Sequence, residues 1–489
     1  MSGPETSRTD SEITRLARGT LLPAFPGALP PRWLLEEVEQ GLGGVTVFAI
    51  NGNVPGTEEL AALTAELRKA GDPLVTIDEE GGDVTRLTGH VTASPYPGNA
   101  ALGAVDDPEL TRRVYRSLGA ELAEAGVNLN FAPSVDVNTA ADNPVIGTRS
   151  FGSDAELVAR HAAAAVAGTQ EAGVAACAKH FPGHGATVVD SHLGVPVVDA
   201  DMELLERREL VPFRAAIGAG TRAVMTGHLN LPAVTGGVPA TLSRAAITGL
   251  LRGRLGYDGV IVTDALDMAG ASGEIGIPEA AVRALLAGAD LLCLGSREHH
   301  DSLRAVLAAI EEAVRGGRLP LDRLADAAAR TRALRDWLAD RAPATADRAT
   351  GLEAARRAVR VSGELPDWRD GGNAPLVVEV AATGNIAVGP TPWGLGPWAP
   401  DAVRAEGSAA EAEGVLERAS GRGLVVVLRD AHRHAGQRAL AEALVAARPD
   451  TVVVEMGLPV WRPDGAVHLA TYGAAHANAQ AAAELLGLA

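Results

Sequence analysis

The sequence predicts a (β/α)8 (TIM-like) barrel followed by a smaller C-terminal α/β sandwich domain. Three observations carry this expectation. Short apolar runs alternate with longer amphipathic stretches eight times between residues 20 and 340. Polar, chemically capable residues recur where the apolar runs end. A second and shorter alternation begins near residue 374.

Taken in order, the apolar runs are Thr20–Ala24, Gly44–Ile50, Leu74–Ile77, Asn128–Ala132, Ala175–Ala178, Ala223–Thr226, Gly259–Thr263 and Asp290–Leu294. Each has the length and continuous hydrophobicity of a buried parallel strand. Between them, Thr57–Ala70, Pro108–Ala125, Ala155–Ala172, Met202–Ala219 and Pro278–Ala287 show helical periodicity. Eight such repeats suit a closed barrel. An open doubly wound sheet would alternate too, but no Gly-x-Gly-x-x-Gly follows the first strand. Residues 1–19 are a polar N-terminal segment, 20–340 the barrel and 341–373 a linker with one helical stretch. Residues 374–489 are the second domain, with buried strands expected at Leu376–Ala381, Gly423–Leu428 and Thr451–Glu455. That domain shows no catalytic constellation, and His432 and His434 read as surface residues.

Composition narrows the function. The 489-residue chain has a formal net charge of -18 and is 47% hydrophobic. It is a globular protein without the basic surface that nucleic acid or an anionic membrane would demand. Two cysteines, Cys177 and Cys293, lie in apolar runs and read as buried thiols. Residues 1–18 lack the apolar stretch of a secretory leader, and no run is long enough to span a bilayer. The expected location is cytoplasmic. The oligomeric state is left open.

The densest chemistry lies between Lys179 and His192, where a lysine, three histidines, an aspartate and two glycines fall within fourteen residues. It begins where a buried strand ends, the usual place for working loops. Lys69 and Lys179 are the only lysines in a chain that otherwise uses arginine, so a compact ammonium has been placed beside His180. Asp78, Arg149, Lys179, His180, His228 and Asp264 all sit at or just past strand ends, which converge on one face of a barrel. Asp264, emerging from Val-Ile-Val-Thr, is either a cap or a working carboxylate. A carboxylate nucleophile with a proton donor is the equipment for retaining glycoside cleavage. The loop offers His192, an imidazole of the kind that can donate and then accept a proton near neutral pH, with Asp190 two residues earlier to orient it. His180, His184, Asp190 and His192 match no standard zinc spacing, so neither a metal nor another cofactor is expected. His184 reads as a loop-shaping residue.

Lys-His-Phe-Pro-Gly-His-Gly (179–185), Asp190-Ser-His192 and Val-Thr-Asp-Ala-Leu-Asp-Met (262–268) together resemble family 3 glycoside hydrolases, and more narrowly their β-N-acetylglucosaminidase branch. The similarity extends through Asp78-Glu-Glu-Gly-Gly-Asp-Val-Thr-Arg86, Asn130–Asp136, Gly147–Gly152 and Leu255–Val260. The histidine loop distinguishes this branch from the β-glucosidases of the family. The resemblance implies that Asp264 is the nucleophile, His192 the acid/base and Asp190 its partner. It implies that Asp78, Arg86, Arg149, Lys179 and His180 bind the sugar. One departure stands out, since Asp83 occupies a position where many relatives carry arginine. Residues 374–489 resemble the second domain of the two-domain members.

The implied activity is a retaining exo-β-N-acetylglucosaminidase acting on N-acetylglucosamine-containing glycosides, from muropeptides or chitin-type fragments. The alternative is a phosphorylase, because neutral imidazole does not repel phosphate as a carboxylate would. A non-catalytic sugar-binding protein on the same barrel is the third reading.

Overall fold

The computed structural model describes the whole chain except residues 1–3, 89–92, 190–193, 274, 298–299, 367, 369–373, 383 and 385–386. The chain divides into two compact units. The first comprises Met1–Glu79, Thr111–Thr139 and Ser153–Ala346, and the second comprises Glu80–Leu110, Ala140–Gly152 and Asp347–Ala489. Two stretches that follow barrel strands, 80–110 and 140–152, therefore group with the C-terminal residues.

In the first unit the strands are β1 (Leu21–Leu22), β2 (Gly44–Thr46), β3 (Leu74–Ile77), β4 (Leu129–Asn130), β5 (Ala175–Phe181), β6 (Ala223–Thr226), β7 (Val260–Thr263) and β8 (Leu292–Cys293). Strands β2 to β7 form one parallel sheet in chain order, and β1 pairs in parallel with β8. Two links complete the ring. Val262 bridges Leu291, and the Thr46 N–H donates to the Pro23 carbonyl at 3.1 Å. The predicted eight-stranded parallel barrel is therefore present, with β1, β2, β4, β7 and β8 shorter than their apolar runs. Runs of apolar residues suit it because every strand is covered on both faces.

The barrel interior is asymmetric. Leu74, Leu129, Ala175, Ala223 and Val260, the first residues of their strands, share one apolar cluster with Leu334, and Trp337 packs against it. Both come from the helix Leu321–Ala339. This plugs the N-terminal end and leaves the C-terminal end for chemistry.

Two elements differ from their predicted forms. The stretch Met202–Ala219 is two helices, Met202–Arg207 and Leu210–Gly218. Pro212 has no N–H to continue the ladder and its ring would clash with the Arg208 carbonyl four residues back. Strand β5 runs on to Phe181 instead of stopping at Ala178, because pairing persists: the Lys179 N–H donates to the Pro133 carbonyl and the Gly227 N–H to that of Phe181. Lys179 and His180 thus lie within the strand, where its register against β6 shifts between Ala178 and Phe181. Such an irregularity re-aims side chains.

In the second unit, six strands are ordered β11-β10-β12-β13-β14-β9. These are β9 (Arg360–Ser362), β10 (Leu376–Val380), β11 (Val403–Ala405), β12 (Leu424–Leu428), β13 (Val452–Glu455) and β14 (Val467–Ala470). All pairings are parallel except that of β9 with β14. Alternate residues face opposite layers. Leu424, Val426 and Leu428 pack with Val415, Leu440 and Leu444, while Val425 and Val427 pack with Ala479, Ala482 and Leu486. This is an α/β sandwich. Within 341–373, read from sequence as a linker, the structure holds the helix Ala349–Ala358 and the edge strand β9. No helix among the described residues is long and apolar enough to cross a membrane.

Candidate active site

At the open end of the barrel, β3, β5 and β7 each deliver a charged residue. Asp78 directly follows β3. Its Oδ1 accepts from Lys179 Nζ at 2.5 Å, and the lysine side chain is only 1% exposed. A buried ammonium needs such a partner. Asp264 directly follows β7. Its N–H donates to the Thr226 carbonyl at 3.0 Å, and its Oδ1 accepts from the Ala265 N–H at 2.8 Å. Thr263, Thr226 and Phe181 lie in register across β7, β6 and β5, so Asp264 and His180 share one end of the barrel. Cys177 is buried on β5, in the apolar cluster of the barrel interior. Burial pushes its thiol well above the ordinary range, and the charges of Lys179, Asp78 and Asp264 all act on it. Both thiols are buried and unbridged.

His180 is held by a residue that the sequence reading did not single out. Asp136 is fully buried, and its Oδ2 lies 2.8 Å from His180 Nδ1 and 2.9 Å from the Ser134 hydroxyl, which donates to it. Its Oδ1 accepts from the backbone N–H of His184 at 2.7 Å and of His180 at 3.2 Å. Burial alone would raise its pKa, but the charges of His180 and His184 and their hydrogen bonds outweigh it and hold the carboxyl below its ordinary value. One carboxylate thus fixes the ring of His180 and the turn that leads into the histidine loop. The signal for it was available, because Asp136 is the single carboxylate in the otherwise apolar or small-residue stretch Leu129–Val137.

The start of the loop, Gly183–Gly185, is packed tightly. A side chain on Gly185 would meet the Val137 carbonyl at 2.0 Å, and one on Gly183 would meet Glu209 Cγ at 2.5 Å. Gly183 also has a φ of 128°, which favours glycine. The His184 ring lies 2.7 Å from the Thr187 hydroxyl and edge-on to His180 at 6.0 Å. With Nδ1 of His180 on Asp136 and Nδ1 of His184 on Thr187, both rings are oriented by neighbours. Among the described residues no cluster of three or more His, Cys, Asp or Glu has the arrangement to hold a metal ion. Asp190 and His192, the expected acid/base pair, lie outside the described residues.

Arg86 and Arg149 belong to the second unit. Arg149 is buried and makes a two-pronged pair with Glu80, Nη2 to Oε1 at 2.7 Å and Nε to Oε2 at 2.9 Å, and its Nη1 donates to the Val145 carbonyl. Arg86 donates to the carbonyls of Ala387 at 2.6 Å and Val388 at 3.3 Å. The structure thus brings Asp78, Lys179, His180 and Asp264 together, and it gives these two arginines partners of their own. Asp83, the unusual residue in this motif, is also in the second unit. It accepts from the Thr148 hydroxyl at 2.7 Å and the Ala474 N–H at 2.9 Å, and it pairs with Arg429 at 3.3 Å. His432, read from sequence as a surface residue, is half-buried there and reaches the Ala141 carbonyl through Nε2 at 3.0 Å.

Comparison with known proteins extends this picture. The family described as glycosyl hydrolase family 3 N terminal domain matches residues 34–334. Beta-hexosaminidase A of Pseudoalteromonas piscicida is 36% identical over 337 residues, covering 63% of this chain but only 56% of that protein. Beta-hexosaminidase LpqI of Mycobacterium tuberculosis is 38% identical over 291 residues, 57% of this chain and 73% of that one. Among solved structures, a glycoside hydrolase family 3 beta-N-acetylglucosaminidase from Paenibacillus sp. superposes with a TM-score of 0.85 at 34% identity, covering 97% of this chain and 96% of that one.

Proposed function

Because the chain belongs to glycoside hydrolase family 3, we propose that it is a retaining exo-β-N-acetylglucosaminidase that removes terminal N-acetylglucosamine from peptidoglycan- or chitin-derived fragments. The observation that carries the reading is Asp264, a carboxylate at the end of β7 on the barrel end that also holds the Asp78–Lys179 pair and His180. The beta-hexosaminidase names of its relatives and the Paenibacillus beta-N-acetylglucosaminidase support the choice of sugar.

In this reading an Asp264 oxygen bonds to the anomeric carbon as the bond to the leaving oxygen breaks. The His192 imidazolium delivers its proton to that oxygen. Water then attacks the glycosyl-enzyme, imidazole takes its proton, and Asp264 departs as a carboxylate. Two inversions leave the β configuration unchanged. A pair such as Asp78 and Lys179 suits sugar hydroxyls, the carboxylate accepting and the ammonium donating.

The test is a panel of aryl N-acetylglucosaminides, glucosides and N-acetylmuramic-acid-containing disaccharides, each with and without inorganic phosphate. The expected products are free N-acetylglucosamine, released as the β anomer, at a rate phosphate does not change. Sugar 1-phosphate as the main product would overturn hydrolysis. An α anomer released first would overturn retention, and no cleavage of any N-acetylglucosaminide would overturn the sugar.

A further inference from the structure

His228 lies two residues past β6 and is completely buried. Its Nε2 is 2.9 Å from the carbonyl oxygen of Ala265, and its Nδ1 is 2.9 Å from the Thr241 hydroxyl. A carbonyl only accepts, so Nε2 carries the hydrogen. Thr241 Oγ1 also lies 3.1 Å from the Gly227 carbonyl and 3.0 Å from the Thr226 hydroxyl. In the neutral ring Nδ1 is then the acceptor, and the Thr241 hydroxyl is the donor that meets it.

The residue so held is the one whose N–H reaches Asp264. The Ala265 N–H donates to Asp264 Oδ1 at 2.8 Å. The turn is pinned on both sides, since the Asp264 N–H donates to the Thr226 carbonyl at 3.0 Å and the Leu266 N–H to that of Cys293 at 2.9 Å. His228 anchors the Ala265 carbonyl from the side-chain direction, and the same oxygen also accepts from the Met268 N–H at 3.2 Å. Its ring is too deep to be part of the sugar surface, and its contacts run through Ala265 to the nucleophile.

We propose that His228 is a positioning residue for Asp264, holding the Ala265 peptide so that the carboxylate meets the anomeric carbon in line. This rests on Asp264 being the nucleophile. Without the shorter of the two bonds to its carbonyl, the Ala265 peptide would tilt about the backbone bonds that remain and the carboxylate would sample orientations in which attack is out of line; misplacement by about 1 Å costs on the order of 100-fold in rate.

The experiment uses the full chain and a 5-fluoro N-acetylglucosaminyl fluoride, which labels a retaining enzyme covalently without needing protonation of an alkoxide leaving group. Two quantities are read, the rate constant of labelling and its final stoichiometry. His228→Ala is expected to lower the rate constant roughly 100-fold while labelling still reaches one per chain at Asp264. His228→Gln, which restores an N–H donor, is expected to recover part of that loss, and Thr241→Val is expected to lose a few-fold in rate. A merely structural role would do the reverse, reducing stoichiometry with an unchanged rate constant among the molecules that label. That result overturns the proposal, as does an unchanged rate in all three variants. If His228→Ala does not fold, His228→Gln and Thr241→Val decide by the same two readouts. Wild-type protein labelled elsewhere than Asp264, or not at all, would instead overturn the functional reading beneath it.

Discussion

The Asp136 carboxylate holds the His180 ring at 2.8 Å and, through its other oxygen, the His184 N–H at 2.7 Å. The first residue of the histidine turn and its fifth are thus tied to one buried anion. Replacing it with alanine removes the acceptor shared by an imidazole, the Ser134 hydroxyl and two backbone N–H groups. Each unsatisfied group of this kind costs about 1–3 kcal/mol, so Asp136→Ala is expected to lose several kcal/mol by urea denaturation and nearly all activity.

The same group sets a pH dependence. Its folded-state pKa lies below its ordinary value, so it releases its proton more readily in the folded chain than in the unfolded one. The stability it contributes is therefore fully present above the ordinary carboxylate range and is lost as pH falls through the folded value. The stability gap between wild type and Asp136→Asn is expected to be constant near neutrality and to shrink below about pH 4. A gap that widened on acidification would contradict the assignment.

Asp264→Ala removes the atom that attacks the anomeric carbon, and turnover is expected to fall by on the order of 10⁴-fold, the scale seen when one member of a catalytic unit is deleted. The space left behind suits a small anion. Azide is expected to restore part of the rate on an activated aryl substrate and to give the α-glycosyl azide, since one displacement inverts the centre. A β-azide would show that another nucleophile still acts.

His192→Ala is expected to slow substrates with poor leaving groups far more than a dinitrophenyl glycoside, whose departing oxygen needs no proton. The slope of log(kcat/KM) against leaving-group pKa measures this directly. An unchanged slope with a uniform loss would reduce His192 to a loop-positioning role.

The buried pair at the end of β3 and β5 is asymmetric, and so are its variants. Lys179 is 1% exposed at its side chain and Asp78 27%. Asp78→Ala breaks a buried ion pair from one side and leaves the charge inside, which costs about 3–5 kcal/mol. Lys179→Met removes the buried charge itself and leaves a carboxylate that water reaches, so its cost in denaturant is expected to be smaller. Equal losses would mean that the lysine finds another acceptor.

Much of this was legible from the chain because barrels leave a simple trace. Leu74–Ile77 and Ala223–Thr226 have the same limits in sequence and structure, since Asp78 ends the first run and Gly227 the second. Asp264 was legible for the same reason. Asp136 was legible only as a lone carboxylate among apolar and small residues; its role was not, because that lies in His180 and His184, forty-four and forty-eight residues further on, and a sequence does not display that proximity. The split of Met202–Ala219 was missed because its hydrophobic period continues across the break that Pro212 imposes. Arg86 and Arg149 were legible as members of a motif, but their partners, Glu80 and the carbonyls of residues 387–388, emerged only once the chain was folded.

Asp83 offers the sharpest test of a local departure. Its carboxylate takes hydrogen bonds from Thr148 and Ala474 and faces Arg429, and both charged side chains are at least nine-tenths buried. Arginine at this position would set two buried cations together and leave the Ala474 N–H without its acceptor. Asp83→Arg is therefore expected to destabilise the chain by about 3–5 kcal/mol, the cost of an uncompensated buried charge, read as a lower urea midpoint. Asp83→Asn keeps an oxygen for Ala474 and removes only the charge, so its loss is expected to be smaller. In the Asp83→Arg background, Arg429→Asp restores opposite charges and should recover part of the midpoint. If the double variant were no more stable than Asp83→Arg alone, the hydrogen bonds to Thr148 and Ala474, and not the charge of Arg429, would be what the aspartate is there to satisfy.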